Sequence, residues 1–435
     1  AQGNAEPPPA LDSTSAGGRW ESMKGAMDRG LVFLGLTGAV AGLLLPFRHV
    51  PLRGLVYALP KVIGMQFHQS DPTHDPTYLR EACTRFTWLA NYYPTNKDWF
   101  VDIGAVDAAI VAMKRFPDKK LMQIACASAV STMSLYNFKV QTYAGQKGAV
   151  ELVVDLMRRW PEDPHCQVGG NSGCFMDFSW ENRLRFQLYG GLEVMLDAIR
   201  NHMDNPDVVV QSWFGFSSGT QDPNMPRFVE AGGPEVGVEC MRKHPKSFRV
   251  REEIMQAMRS TLTVAKHRNH LADVGYIGDL IQAMNDAPLD YHQISPACAN
   301  LAAFVSTNRT HRLMAHKANA TGVALQAIID YPRMKATVNW AAEFDAQYTV
   351  YSDCLGVLAS MVAVCEAHKY LLQANAAEVM KGVLAGRAKK HGGSTDMAKM
   401  GWTSGDNLVP IFLQHILDVL EKPCVDDERD LLHSL

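Results

Sequence analysis

Five near-copies of one segment lie between Gly104 and Asp286, and nothing else in the chain restricts its fold so strongly. Gly104-Ala-Val-Asp-Ala-Ala-Ile-Val-Ala-Met113 returns from Gly148 to Met157, from Gly190 to Ile199, from Gly232 to Met241 and from Gly275 to Met284. Successive copies begin 44, 42, 42 and 43 residues apart, and a looser sixth begins near Ala320. A fixed period of this size is the mark of a helical solenoid, in which one repeat cannot bury its own apolar face and must stack on its neighbours.

Each copy reads the same way physically. The glycine lets one helix end and the next begin at a sharp angle, because it carries no Cβ penalty in a left-handed conformation. Apolar residues then recur at helical spacing, as in Val106, Ala109, Ile110 and Met113 or Val150, Val153, Val154 and Met157. Lys114-Arg115, Arg158-Arg159 and Arg242-Lys243 close their helices and suit the negative end of the dipole. Pro117, Pro161, Pro245 and Pro288 stop them, and a longer helix follows each turn, for instance Leu121 to Met133 and Val250 to Val264.

These residues resemble the armadillo repeat, a pattern of about 42 residues. Asn224-Met-Pro-Arg-Phe-Val-Glu-Ala-Gly-Gly233 matches its first helix, and Ala297-Cys-Ala-Asn-Leu-Ala302 the core of its third. The resemblance runs from about Tyr78 to Val383 and implies an all-α fold, a right-handed α-solenoid of six to seven repeats over residues 77–390. It also implies a peptide groove, in which a ladder of Asn, with Trp one turn earlier, fixes an extended peptide. Here Asn300 fills the Asn position, Ser131 and Ser217 replace it elsewhere, and Trp213 lies one turn before Ser217. Trp213, Ser217 and Asn300 are therefore the candidate groove residues of a degraded ladder.

Before the solenoid, residues 1–29 are polar and Pro-rich and are expected to be extended. Residues 30–47 contain Leu31 to Leu45 without a charge, bracketed by Arg29 and Arg48, and are expected to form one N-terminal transmembrane helix. Gly38 and Gly42 give it a small-xxx-small face for packing on another membrane helix. The Ala1 start is compatible with a chain trimmed of a targeting peptide. Residues 48–76 read as an interfacial linker, and Thr77 to Tyr93 as a cap on the solenoid. Past the sixth copy come an aromatic and acidic insertion, Trp340 to Tyr351, an apolar helix Cys354 to Ala367, and a degenerate copy from Asn375. The last part, 391–435, is a loop, a helix Asn407 to Leu420 and an acidic tail, preceded by the basic loop Arg387 to Gly393.

Charge argues against nucleic acid as a partner: with a net of −3 there is no concentrated basic surface to meet a polyanion. Nine cysteines form no framework, and Cys126, Cys174, Cys240, Cys298, Cys354 and Cys365 sit on apolar stripes, so buried thiols in a reducing or non-secretory compartment are expected. The sequons at Asn308 and Asn319 would matter only in a secreted protein. Neither His68, Asp71, His74 and Asp75 nor His165, Cys166 and Cys174 has convincing ligand spacing. P-loop, dinucleotide, Gly-x-Ser-x-Gly and His-Glu-x-x-His motifs are all lacking, so neither an enzyme nor a cofactor or metal is expected.

The reading that follows is a non-catalytic scaffold subunit, fixed in the lipid bilayer through residues 30–47 and packed on other protein subunits of a membrane complex. By analogy with the helical accessory subunits of divergent protists, that complex is expected in the mitochondrial inner membrane, as a respiratory complex or ATP synthase. A plastid membrane is the alternative site, and an adaptor binding transient peptides the alternative role. Trp99, Trp340, Tyr348 and Trp402 are expected against another chain, and Met113, Met157, Met241 and Met284 in the core.

Overall fold

The computed structural model describes residues 52–70, 76–95, 97–173, 179–219, 224–334, 346–390 and 408–424. The chain divides into two units, Ala1–Tyr57 and Ala58–Leu435. Of the first, only 52–57 are described, as the opening of the helix Leu52–Ser70. The membrane segment 30–47 with Gly38 and Gly42, together with Trp340 and Trp402, lies outside the described residues. Among the described residues no single helix is long and apolar enough to cross a membrane.

The second unit is all helix among its described residues, and its helices come in triplets. Phe138–Gln146, Ala149–Arg159 and Pro164–Gly173 form one triplet; Met225–Glu230, Gly233–Lys243 and Phe248–Thr261 form another. The second helix of every triplet begins after a residue in the left-handed region: Gly104, Gly148, Gly190, Gly232 and Gly275, then Asn319 and Asn375. Seven such corners define seven repeats. The two asparagines explain why the sixth and seventh copies look loose in sequence, since Asn is the side-chain-bearing residue that most readily enters this region. A second glycine follows at 191 and 233 for another reason: a Cβ there would lie 2.2 Å from the ring of Phe186 or Phe228, which packs under the corner.

Third helices stack side by side and carry the core. Lys120–Ser134 packs on the helix Thr77–Tyr92, which caps the N-terminal end, and Tyr291–Val305 packs on Ala346–Met361. Met113, Met157, Met241 and Met284 are 0 to 3% exposed, as their spacing requires. Leu408–Leu420 packs against Ala346–Met361 and is the third helix of the seventh repeat, so the repeated body passes residue 390. Arg387 to Lys390, expected in a loop, end the helix Ala376–Lys390. The helix expected over Cys354 to Ala367 is instead Ala346–Met361, with Cys365–Gln373 starting a new repeat after it.

Two expectations are overturned. Trp99 is fully buried and stacks on Phe100 with ring centroids 3.8 Å apart, because it opens the short first helix beneath the first corner and so cannot face a partner. The cysteines do form a framework: Cys83–Cys126, Cys298–Cys354 and Cys365–Cys424 are disulfides, with Cα separations of 4.9, 4.9 and 5.5 Å. Their sequence separations of 43, 56 and 59 hid the pairing, which arises because neighbouring helices bring distant thiols face to face. The expectation of buried free thiols therefore fails at Cys126, Cys298, Cys354 and Cys365. Cys166 and Cys240 remain as buried free thiols.

Candidate interaction surfaces at the joints between repeats

The three groove candidates are not brought together on an open face. Trp213 is fully buried, its ring 5.3 Å from Phe216 and 6.1 Å from Phe228. Beside it lies the Cys240 thiol, pushed up to about 12 by burial. Ser217, half-buried, turns its hydroxyl back to donate to the Phe214 carbonyl at 2.7 Å. Asn300 is 1% exposed, and its Nδ2 donates to the Met255 carbonyl at 2.9 Å and to the Tyr276 hydroxyl at 3.0 Å. It therefore ties the third helix of the fourth repeat to the second helix of the fifth. Helix Phe248–Thr261 stands between the helices bearing Trp213 and Asn300.

What recurs on the surface is a cationic ladder. The tenth residue after each of the first four left-handed corners reaches forward and donates to the last carbonyl before the next corner. Lys114 Nζ meets the Lys147 carbonyl at 2.7 Å, Arg200 Nη2 meets Ala231 at 2.9 Å, Arg242 Nη2 meets Val274 at 2.8 Å, and Arg158 does the same to Tyr189. These carbonyls end the first helix of a repeat and have no partner within it, so a cation there serves both hydrogen bonding and dipole. Residue type and spacing were visible in the sequence; the bridging direction was not, because helix-end basics are equally well explained within their own helix.

A carboxylate row runs alongside, at the third residue after each corner, and pairs with the first helix of the next repeat. Asp107 accepts from the Tyr143 hydroxyl at 2.6 Å and faces Lys147 at 3.4 Å. Glu151 pairs with Arg185 at 3.3 Å, Glu193 with Arg227 at 2.6 Å, and Glu235 with His270 at 2.5 Å. At the fifth corner Gly278 takes that place, and Asp279 beside it pairs with Arg242 at 3.0 Å. Such half-exposed pairs set register more than they stabilise.

Third helices carry other titratable groups. His292 Nδ1 lies 2.8 Å from Glu252, which raises the imidazole, while burial raises Glu253 to about 7 and Asp353 to about 6. Asp353 accepts from the Ser295 hydroxyl at 3.1 Å. No three metal-ligating side chains converge among the described residues. Asn308 uses its side chain to cap a helix, accepting from the Thr310 and His311 amides, and Asn319 forms the sixth corner.

Two apolar rows stay exposed. Trp180, Leu184 and Leu188 follow one another a turn apart on a first helix, exposed by 51, 38 and 78%, and Trp88 stacks on Tyr92 at 5.3 Å on the capping helix. At the positions of Leu184 and Leu188 the fifth repeat has Asn269 and Asp273, and the seventh has Lys369 and Gln373.

No family model matches this chain, and no curated protein matches it in sequence. Among solved structures it is similar to an engineered protein from the Northeast Structural Genomics Consortium, with a TM-score of 0.57, 17% identity, and coverage of 84% of this chain and 99% of that one. A second engineered protein from the same consortium aligns at 17% identity and a TM-score of 0.47 over 63% of this chain and 97% of its own. The first likeness supports a helical-repeat fold and nothing further.

Proposed function

We propose that this chain is a non-catalytic scaffold subunit of a membrane complex, anchored through residues 30–47 and fixed to neighbouring subunits by its repeats. The observation that carries the reading is Asn300: the one residue able to hold a peptide backbone in an armadillo groove is spent between helices, bonded to Met255 and Tyr276. Trp213 is likewise inside. Exposed apolar rows such as Trp180, Leu184 and Leu188 are what a permanent, relatively apolar interface needs.

The finer placement is the mitochondrial inner membrane, in a respiratory complex or ATP synthase, with a plastid membrane as the alternative. The three cystines favour the oxidising side of that membrane for the repeat body. Extraction in mild detergent is the test: the chain is expected to leave the membrane only in a stoichiometric complex and to resist alkaline carbonate. A monodisperse free chain that captures extended peptides, and loses them on Asn300→Ala, would replace the scaffold with a peptide adaptor.

A further inference from the structure

The surface joint between the fifth and sixth repeats carries none of the charges of the others at five matched positions; the carboxylate in its lining, Asp330, is already paired with Arg333 and accepts from Gln326. At the Arg158 joint the cleft is lined by Arg158, Gly190, Glu193, Asp197 and Arg227. Counting from the corners, the same five positions at the later joint are Asn285, Asn319, Gly322, Gln326 and Tyr370. They line a cleft of about 400 Å³. Every ion of the earlier joint is replaced by a neutral group, and the long cationic side chain by an asparagine too short to cross.

The receiving half of the ladder survives. Ala318 is the last residue before the corner, in the place of Lys147, Tyr189, Ala231 and Val274, and among the described residues no side chain donates to its carbonyl. Tyr370 stands at the rim, 38% exposed. Elsewhere in this chain cations lie over tyrosines of first helices and corners: Lys147 over Tyr143 at 5.1 Å and Arg158 over Tyr189 at 5.0 Å. Gly322 keeps the floor open, since a Cβ there would come within 2.8 Å of the Tyr370 hydroxyl and 2.3 Å of the Asn319 amide oxygen. The joint does not need an internal cation to stay closed, because Cys298–Cys354 bonds its two third helices covalently.

We propose that this cleft receives an arginine or lysine side chain of a neighbouring polypeptide, which donates to the Ala318 carbonyl and lies against Tyr370 as the missing rung of the ladder. The orphan carbonyl of a helix end and an unshared aromatic face both favour a cation, and four equivalent places in the same molecule hold one. The inference rests on the scaffold reading for the identity of the neighbour, but the cleft's chemistry can be tested without it.

The probe is the capped tripeptide acetyl-Gly-Arg-Gly-amide, titrated into the full detergent-solubilised chain and followed by NMR, against its isosteric citrulline counterpart. The arginine peptide is expected to bind in the millimolar range and the neutral citrulline peptide roughly fivefold more weakly. Asn285→Arg, which supplies the rung internally, should abolish binding and raise the melting temperature; Tyr370→Leu, a mild surface change, should weaken binding without lowering that temperature. Equal affinity for the two peptides, or undiminished binding by Tyr370→Leu, overturns the proposal. Success here with failure to co-purify in a complex would sink the fixed scaffold and leave the cleft standing; the reverse pattern would do the opposite.

Discussion

Two devices close joints of this molecule, and no joint uses both. From the first to the fifth repeat, Lys114, Arg158, Arg200 and Arg242 each bridge to the next corner, and the two free thiols among the described residues, Cys166 and Cys240, are buried there outside any disulfide. At the capping helix and between the fifth and sixth repeats the rung is missing, with Asn285 standing where the later cation would be, and there the cystines Cys83–Cys126 and Cys298–Cys354 take over. Between the sixth and seventh repeats Ile329 stands in the rung's place, and Cys365–Cys424 lies within the seventh repeat, tying the start of its first helix to the chain just after its third. The difference teaches that the repeats are held by packing everywhere, while the device that fixes their register is interchangeable. A cystine acts chiefly on the unfolded chain, removing conformations; a rung acts on the folded chain, across half-exposed surface.

The strongest way to break this contrast is to open a joint that has no rung. Replacing Cys298 and Cys354 together by alanine is expected to cost about 2–4 kcal/mol, read by urea denaturation. Breaking one bond should also leave the other two cystines intact on a non-reducing gel after thiol alkylation. A loss below a few tenths would mean that packing of Tyr291–Val305 on Ala346–Met361 closes this joint unaided.

Next in size is Asn300→Ala, at the last joint that has a rung. It removes two buried hydrogen bonds and strands the Tyr276 hydroxyl and Met255 carbonyl, at a cost of about 1–3 kcal/mol. A change confined to peptide binding, with stability untouched, would restore this residue to a groove.

The third-helix side of the molecule adds a pH dependence. Burial raises the Glu253 carboxyl to about 7 and that of Asp353 to about 6, and the Glu252 hydrogen bond raises His292. All three hold their protons more tightly folded than unfolded. What they contribute is full below their unfolded values and is lost as pH rises through about 6 for Asp353 and about 7 for Glu253. Burial lowers the imidazoles of His267, His311 and His415, which slope the other way, so the raised carboxyl of Glu253 is read by difference: relative to Glu253→Gln, the stability of the unchanged chain should fall between about pH 5 and pH 8 by on the order of 1 kcal/mol. A difference that grows in favour of the unchanged chain over this range would contradict the assignment.

Much of the fold was legible because a repeat prints its own period. The glycine corners, the methionines of the second helices and the capping helix all follow from local rules of helix starts and apolar spacing. What stayed hidden depends on which helix lies beside which. Cys83 and Cys126 look like two lone apolar-stripe thiols until the helices are laid side by side, and Asn300 looks like a groove residue until Tyr276 and Met255 surround it. Arg242 is a helix-end cation in sequence and a bridge in space. The seventh repeat was only half visible, since Asn375 disguises its corner and its third helix lies beyond residues 391–407, which are not among those described.

The smallest expected effect is the most pointed, and it concerns the last rung. Arg242 bridges to the Val274 carbonyl at 2.8 Å and to Asp279 at 3.0 Å, with its own side chain 52% exposed and that of Asp279 18%. Solvent screens such a pair, so Arg242→Met, which keeps the aliphatic stem, should cost no more than about 1 kcal/mol. Burial raises the Asp279 carboxyl while Arg242 lowers it, so loss of the arginine should shift that carboxyl further upward, measurable by NMR. A cycle with Asp279→Asn should give a coupling of roughly 0.2–1 kcal/mol, with the remainder belonging to the carbonyl contact. The reverse change, Asn285→Arg, should add a similar amount, and more usefully the same amount with Cys298 and Cys354 intact or replaced. If the rung and the cystine act on different states, the two effects add; a rung whose worth appears only after the disulfide is gone would show that both devices restrain the same opening motion.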